Sequence, residues 1–160
     1  MKWVRIDIKN DDVLPVAESL MNRNLKKEGY VLEYDPHITL IPKFENINKV
    51  ELPELESNQI FSVSGFRYWP DFEDPMVVML DMSEDMVLEL WRDELRTQIG
   101  SSNIKTDIPP LHVTLFKAGD KGDEYDFSID DDVRNNLIKR CDNMDEPSHI
   151  RANDISIERW

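Results

Sequence analysis

The chain contains three histidines, and two of them open the same four-residue pattern: His37-Ile38-Thr39-Leu40 and, 75 positions later, His112-Val113-Thr114-Leu115. Ordinary residue usage sets x-Thr-Leu after a given histidine about once in several hundred cases. A doubled unit in a short chain therefore points to a use. In an extended strand, residues i and i+2 project to one face. His37 with Thr39, and His112 with Thr114, each present an imidazole beside a hydroxyl. Ile38, Leu40, Val113 and Leu115 point the other way and can anchor each strand in a core. A histidine titrates at about pH 6.5, so one imidazole can accept a proton while a second donates one. Threonine hydroxyls can hydrogen-bond the non-bridging oxygens of a phosphate and orient it. If the two strands face one another across a cleft, the set suits metal-independent transfer at a phosphodiester. One histidine activates the attacking oxygen and the other protonates the leaving oxygen.

The elements that must hold these residues are legible from periodicity. Residues 3–8, WVRIDI, alternate as a half-buried strand. A helix is expected next, capped by Asn10, Asp11 or Asp12, with Pro15 in its first turn and Gly29 as its stop. The first HxT strand covers about 36–41, and FENINKVELPELESNQ reads as a connector. IFSVSGFRYW at 60–69 alternates as one strand, PDFEDP is a turn, and MVVMLDM is a strand buried on both faces. The clearest helix is 84–100, with Met86, Leu90 or Trp91, and Leu95 on one stripe and Gly100 as C-cap. The second HxT strand follows at about 111–118, then a polar acidic loop, a helix at 131–141 and a final strand at 154–160. This order predicts an α+β domain with antiparallel strands spanning residues 1–160 as one unit.

Composition narrows the function. The 160 residues carry 33 acids against 19 bases, a formal charge of −14. Such a surface argues against long duplex nucleic acid as a partner, although a local cationic cleft can still take a small anion. The lone Cys141 excludes an internal disulfide framework and a Cys-rich zinc site. Apolar runs are strand-length, and the N-terminus lacks the apolar core of a signal peptide, so a cytoplasmic location without membrane association is expected.

The doubled H-[IV]-T-L resembles the signature of the two-histidine (2H) phosphoesterase superfamily, which includes 2′-5′ RNA ligase-like proteins and cyclic nucleotide phosphodiesterases. FSVSGFRYWPDFEDPMVVMLDM between the motifs is similar to that family's middle strand pair with an aromatic-Pro turn. The opening strand and helix, the helix after that pair and the closing ISIERW also fall where the family places them. The resemblance implies a bilobal, pseudo-twofold fold with antiparallel sheets lining a central cleft and helices outside. By it, His37 and His112 are the acid/base pair, and Thr39 and Thr114 bind phosphate oxygens. Lys117 matches a basic residue that family members often carry after the motif. Lys43 follows the first unit less closely, behind Ile41-Pro42.

Phe116 shares simple strand parity with His112 and Thr114, so it is a candidate for stacking on a base, and Arg67 for approaching the phosphate. A catalytic zinc wants a third protein ligand, and no HxxxH or HxH spacing accompanies these histidines, so neither metal nor cofactor is expected. The expected substrate is a small nucleotide, a short oligonucleotide or an RNA end, taken by a monomer. The alternative is a non-catalytic nucleotide- or RNA-end-binding module on the same fold. Which histidine is acid and which base stays open at the level of sequence.

Overall fold

A computed structural model describes residues 1–21, 23–27, 29–45, 49–69, 77–118, 131–145 and 147–160. The expected PDFEDP turn and all but the end of the acidic loop lie outside the described residues, as do the side chains of Tyr68, Trp69 and Lys117.

Strand β1 (Lys2–Ile8) realises its alternation: Val4, Ile6 and Ile8 are buried, while Trp3, Arg5 and Asp7 face the other way. It is the second strand of a four-stranded antiparallel sheet ordered β3-β1-β8-β4, with β3 at His37–Phe44, β4 at Ile60–Ser62 and β8 at His149–Arg159. A second antiparallel sheet is ordered β2-β7-β6-β5, with β2 at Tyr30–Leu32, β5 at Gly65–Trp69, β6 at Val77–Asp81 and β7 at His112–Ala118. Each sheet thus carries one HxT strand: β3 at an edge, β7 in the interior. The described helices are α1 (Asn10–Leu20), α2 (Arg23–Lys27), α3 (Met86–Ile99) and α4 (Asp131–Asp142), with a 3-10 turn after α3. The architecture is α+β, and one buried apolar cluster draws on both sheets and on α1, α3 and α4.

Several elements depart from their expected form. The first helix is two, α1 and α2, broken after Leu20. Lys9 takes the cap position without a side-chain cap bond, and Pro15 lies inside α1 beyond its first turn. Asp12 is engaged elsewhere: its carboxylate accepts from the Arg151 backbone N–H at 2.7 Å and from the Arg151 guanidinium at 2.8 Å. This pins the helix start to β8.

The single strand expected at 60–69 is divided between the sheets, β4 in one and β5 in the other. The crossing runs through Gly65 at φ 149°, a backbone state that L side chains rarely adopt. The apolar parity changes at this glycine, from Phe61 and Val63 before it to Phe66 and Tyr68 after it, a break that a reading of 60–69 as one strand passes over. In α3 the buried stripe is Leu88, Arg92, Leu95 and Ile99, and Met86 and Leu90 are exposed. An arginine holds the central place that an apolar residue was expected to fill.

Candidate active site

Register places the motif side chains. Across β1 and β3, Asp7 stands opposite His37 and Arg5 opposite Thr39. Directly opposed residues project to the same face, so these four share it. Across β6 and β7, Asp81 stands opposite His112 and Met79 opposite Thr114, and Arg67 of β5 continues the Met79 row. The two motif strands therefore have the same local plan, each histidine facing an aspartate on the neighbouring strand.

The likeness extends to a defect in each ladder. Beyond Arg5↔Thr39 the next pair is Val4↔Ile41, leaving Leu40 as an extra residue. Beyond Met79↔Thr114 the next pair is Val78↔Phe116, leaving Leu115 extra. A β-bulge thus sits on the leucine of both HxTL units, and it reverses the strand's parity. Ile41 and Phe116 are both fully buried as a result. This corrects the expectation for Phe116: its ring packs in the core, because the bulge at Leu115 turns it away from the face of His112 and Thr114.

Both imidazoles are oriented the same way. His37 Nδ1 lies 2.8 Å from the carbonyl oxygen of Asp35, and His112 Nδ1 lies 2.6 Å from that of Pro110. A carbonyl has only lone pairs to offer, so each Nδ1 must carry the hydrogen and each Nε2 is left for other chemistry. Strands β3 and β7 touch, and the two rings lie close enough for the charge of His37 to act on His112.

Their surroundings differ. The His112 ring is pushed below the ordinary histidine value, first by burial and then, against the pull of the Pro110 carbonyl, by the charges of His37, Arg92 and Arg67. His37 meets the edge of Trp3, ring centroids 5.1 Å apart, and Trp3 in turn meets Trp160 and lies under the Arg5 guanidinium. Arg5 donates to Asp7 and to Asp35, each at 2.7 Å.

Of the other sequence candidates, Arg67 is half-buried on the Thr114 face and its charge reaches His112. Lys43 is half-buried in β3 past the bulge, its carbonyl accepting from the Lys105 N–H at 2.8 Å. Lys117 lies in β7 opposite Val31. A cavity of about 540 Å³ near β2 is lined by Glu18, Lys26, Tyr30, Tyr34 and neighbours and includes none of the motif side chains.

Sequence reasoning missed Trp3, Arg5 and Arg92. Arg5 had a usable signal, a cation in an alternating strand on the face opposite the apolar residues. Arg92 had one too, a cation within an apolar helical stripe. Among the described residues, no group of three or more His, Cys, Asp or Glu side chains is arranged to hold a metal ion, and no described helix is long and apolar enough to cross a membrane. No family model and no curated protein matches the chain.

Proposed function

We propose that the chain is a metal-independent phosphodiesterase of the two-histidine type, acting on 2′,3′-cyclic phosphate, 2′-5′-linked or cyclic oligonucleotide substrates. The observation that carries this reading is the matched pair of Nδ1–H···O=C bonds, which leaves both Nε2 atoms available within one site. The duplicated plan of strand, aspartate partner and bulge supports a pseudo-twofold, bilobal two-histidine fold over residues 1–160, with the cleft between its halves.

The burial of His112 favours its neutral form, so His112 is the general base in the hydrolytic direction. Its Nε2 takes a proton from water as the water oxygen bonds to phosphorus. The bond from phosphorus to the departing ribose oxygen breaks, and His37, through Nε2–H, supplies that oxygen with its proton. Exchange with solvent then returns His112 to neutral and His37 to its protonated form. Thr39 and Thr114 hydrogen-bond the non-bridging oxygens, and Arg67 adds positive charge toward the phosphate. The acidic exterior fits a small nucleotide, a short oligonucleotide or an RNA end as substrate, handled in the cytoplasm.

The test is turnover of 2′,3′-cyclic nucleotides, 2′-5′ dinucleotides and cyclic oligonucleotides in EDTA, by the wild type and by His37→Ala and His112→Ala. Cleavage that survives EDTA and is lost in both variants supports the reading. Cleavage abolished by EDTA refutes it. Binding without turnover by folded protein transfers the assignment to a nucleotide- or RNA-end-binding module.

A further inference from the structure

We propose that Arg92 is the positioning residue that holds the two HxT units in place relative to one another; the proposal rests on the reading of His37 and His112 as an acid/base pair. Arg92 Nε donates to the Leu40 carbonyl at 2.8 Å, one terminal nitrogen donates to the Thr39 carbonyl at 2.6 Å, and the other donates to the Pro109 carbonyl at 2.7 Å. One guanidinium therefore grips the first motif at two residues and the approach to the second motif at a third.

The bulge makes this grip possible. Successive carbonyls of a regular strand point to opposite edges, yet here those of Thr39 and Leu40 turn toward one donor. They do so where Leu40 is the extra residue of the ladder. Strand β3 is also an edge strand, so groups pointing away from β1 find no partner within the sheet. Arg92 occupies that edge. On the other side, Pro109 is followed by Pro110, whose carbonyl accepts from His112 Nδ1–H at 2.6 Å. The stiff Pro-Pro step, with its fixed φ, links the atom that Arg92 holds to the atom that orients His112.

The helix that carries Arg92 is itself anchored. Asp85 caps α3 by accepting from the Leu88 N–H at 2.9 Å, and it also accepts from the backbone N–H and hydroxyl of Ser62 in β4, at 2.7 and 3.0 Å. Asp85 and Arg92 are the buried charged side chains among the described residues. One ties α3 to the far strand of the first sheet, and the other ties it to both motif segments. Burial pushes the guanidinium down to about 10, which leaves it charged at neutral pH. Three carbonyls in divergent directions call for a planar fork, and the single ammonium of a lysine cannot reproduce it.

The experiment compares wild type, Arg92→Lys and Arg92→Met by steady-state kinetics on a 2′,3′-cyclic nucleotide and by NMR titration of the histidine rings. His149, exposed on β8, serves as the internal control. Arg92→Lys is expected to lower kcat by about 10- to 100-fold with KM nearly unchanged, as misplacement of reacting groups does. Its His37 and His112 ring signals shift while those of His149 stay. Arg92→Met gives the same loss and also moves the His112 titration upward, because a neighbouring positive charge is gone. A folded Arg92→Lys with wild-type kcat and unmoved His37 and His112 signals overturns the proposal.

If the wild type turns over no phosphodiester, the acid/base reading fails by itself, and the ring signals still report whether Arg92 places the histidines. If both variants fail to fold, exchange of the Arg92 guanidinium protons in the wild type decides. Protection well beyond that of Arg96, exposed one turn later, supports the anchor, and equal exchange overturns it.

Discussion

The two HxT units are alike in backbone and unlike in surroundings. Each has a histidine opposite an aspartate, a bulge on its leucine, and Nδ1 tied to the carbonyl two residues back. The first lies on an edge strand, beside the Trp3 ring and the Arg5–Asp7–Asp35 network. The second lies on an interior strand, with its ring desolvated and near the charges of Arg67 and Arg92. The shared backbone plan presents equivalent Nε2 atoms, and the different surroundings make the two groups chemically unequal. Unequal surroundings favour one division of the acid and base roles over the other.

The strongest way to break the comparison is to remove the rings. His112→Ala and His37→Ala are each expected to lose about 10²- to 10⁴-fold in kcat while retaining the wild-type circular dichroism spectrum. A variant that keeps full turnover would leave its unit a structural repeat only.

Thr39→Val and Thr114→Val come next. On the proposed mechanism each removes one hydrogen bond to a charged oxygen, worth about 1.5–3 kcal/mol, and is expected to lower kcat/KM by about 10- to 100-fold. Comparable losses at the two sites indicate that both hydroxyls meet the phosphate. A loss confined to Thr114 would mark the first unit as peripheral.

The pH dependence sharpens the inequality. As general base, His112 must be neutral, so the acid limb of kcat/KM is expected below the ordinary histidine value of about 6.5. Stability carries the same sign. The unfolded chain protonates this ring more readily than the folded one does. The His112 contribution is therefore present above the unfolded value and is lost as pH falls through the folded value. Urea unfolding at pH 7 and pH 5 should show a smaller acid-induced loss in His112→Asn than in wild type. An equal loss would show that folding does not lower the affinity of the His112 ring for a proton.

The smallest expected effect tests the crossing between the sheets. Gly65→Ala places a side chain at φ 149° in otherwise open space, at an expected cost of about 1–3 kcal/mol from backbone strain alone. Urea unfolding reads the cost directly. A neutral or stabilising result would show that the crossing can relax to a conformation other residues adopt.

How much was legible follows from the range of each cue. Strand period exposed β1, β3, β6 and β7, and Gly100 marked the end of α3, whose start at Met86, capped by Asp85, falls two residues later than the period suggests. Period alone could not see the bulges, since Leu40-Ile41 and Leu115-Phe116 read as ordinary apolar pairs. Phe116 was misplaced for that reason. The division of β4 from β5 had a signal that a single-strand reading overlooked, the change of apolar parity at Gly65 from Phe61 and Val63 to Phe66 and Tyr68. Arg92 escaped because a helical stripe is recognised by apolar side chains, while the acceptors that justify a buried cation lie 52, 53 and 17 residues away along the chain.

The sequence by itself determined that the two HxT units lie on strands, that each strand presents its His and Thr on one face, and that the class is α+β. These depend on residue type and on neighbours one to four positions apart, where strand and helix geometry act directly. Tertiary structure decided the rest: the approach of the two motif strands, the Nδ1–H tautomer of each histidine, the desolvation of His112, and the single guanidinium that joins Thr39 and Leu40 to Pro109. Each of these depends on carbonyls, charges and solvent exclusion contributed by distant parts of the chain. Such contacts leave no periodic trace in sequence, because they are set by how the two sheets and α3 pack together.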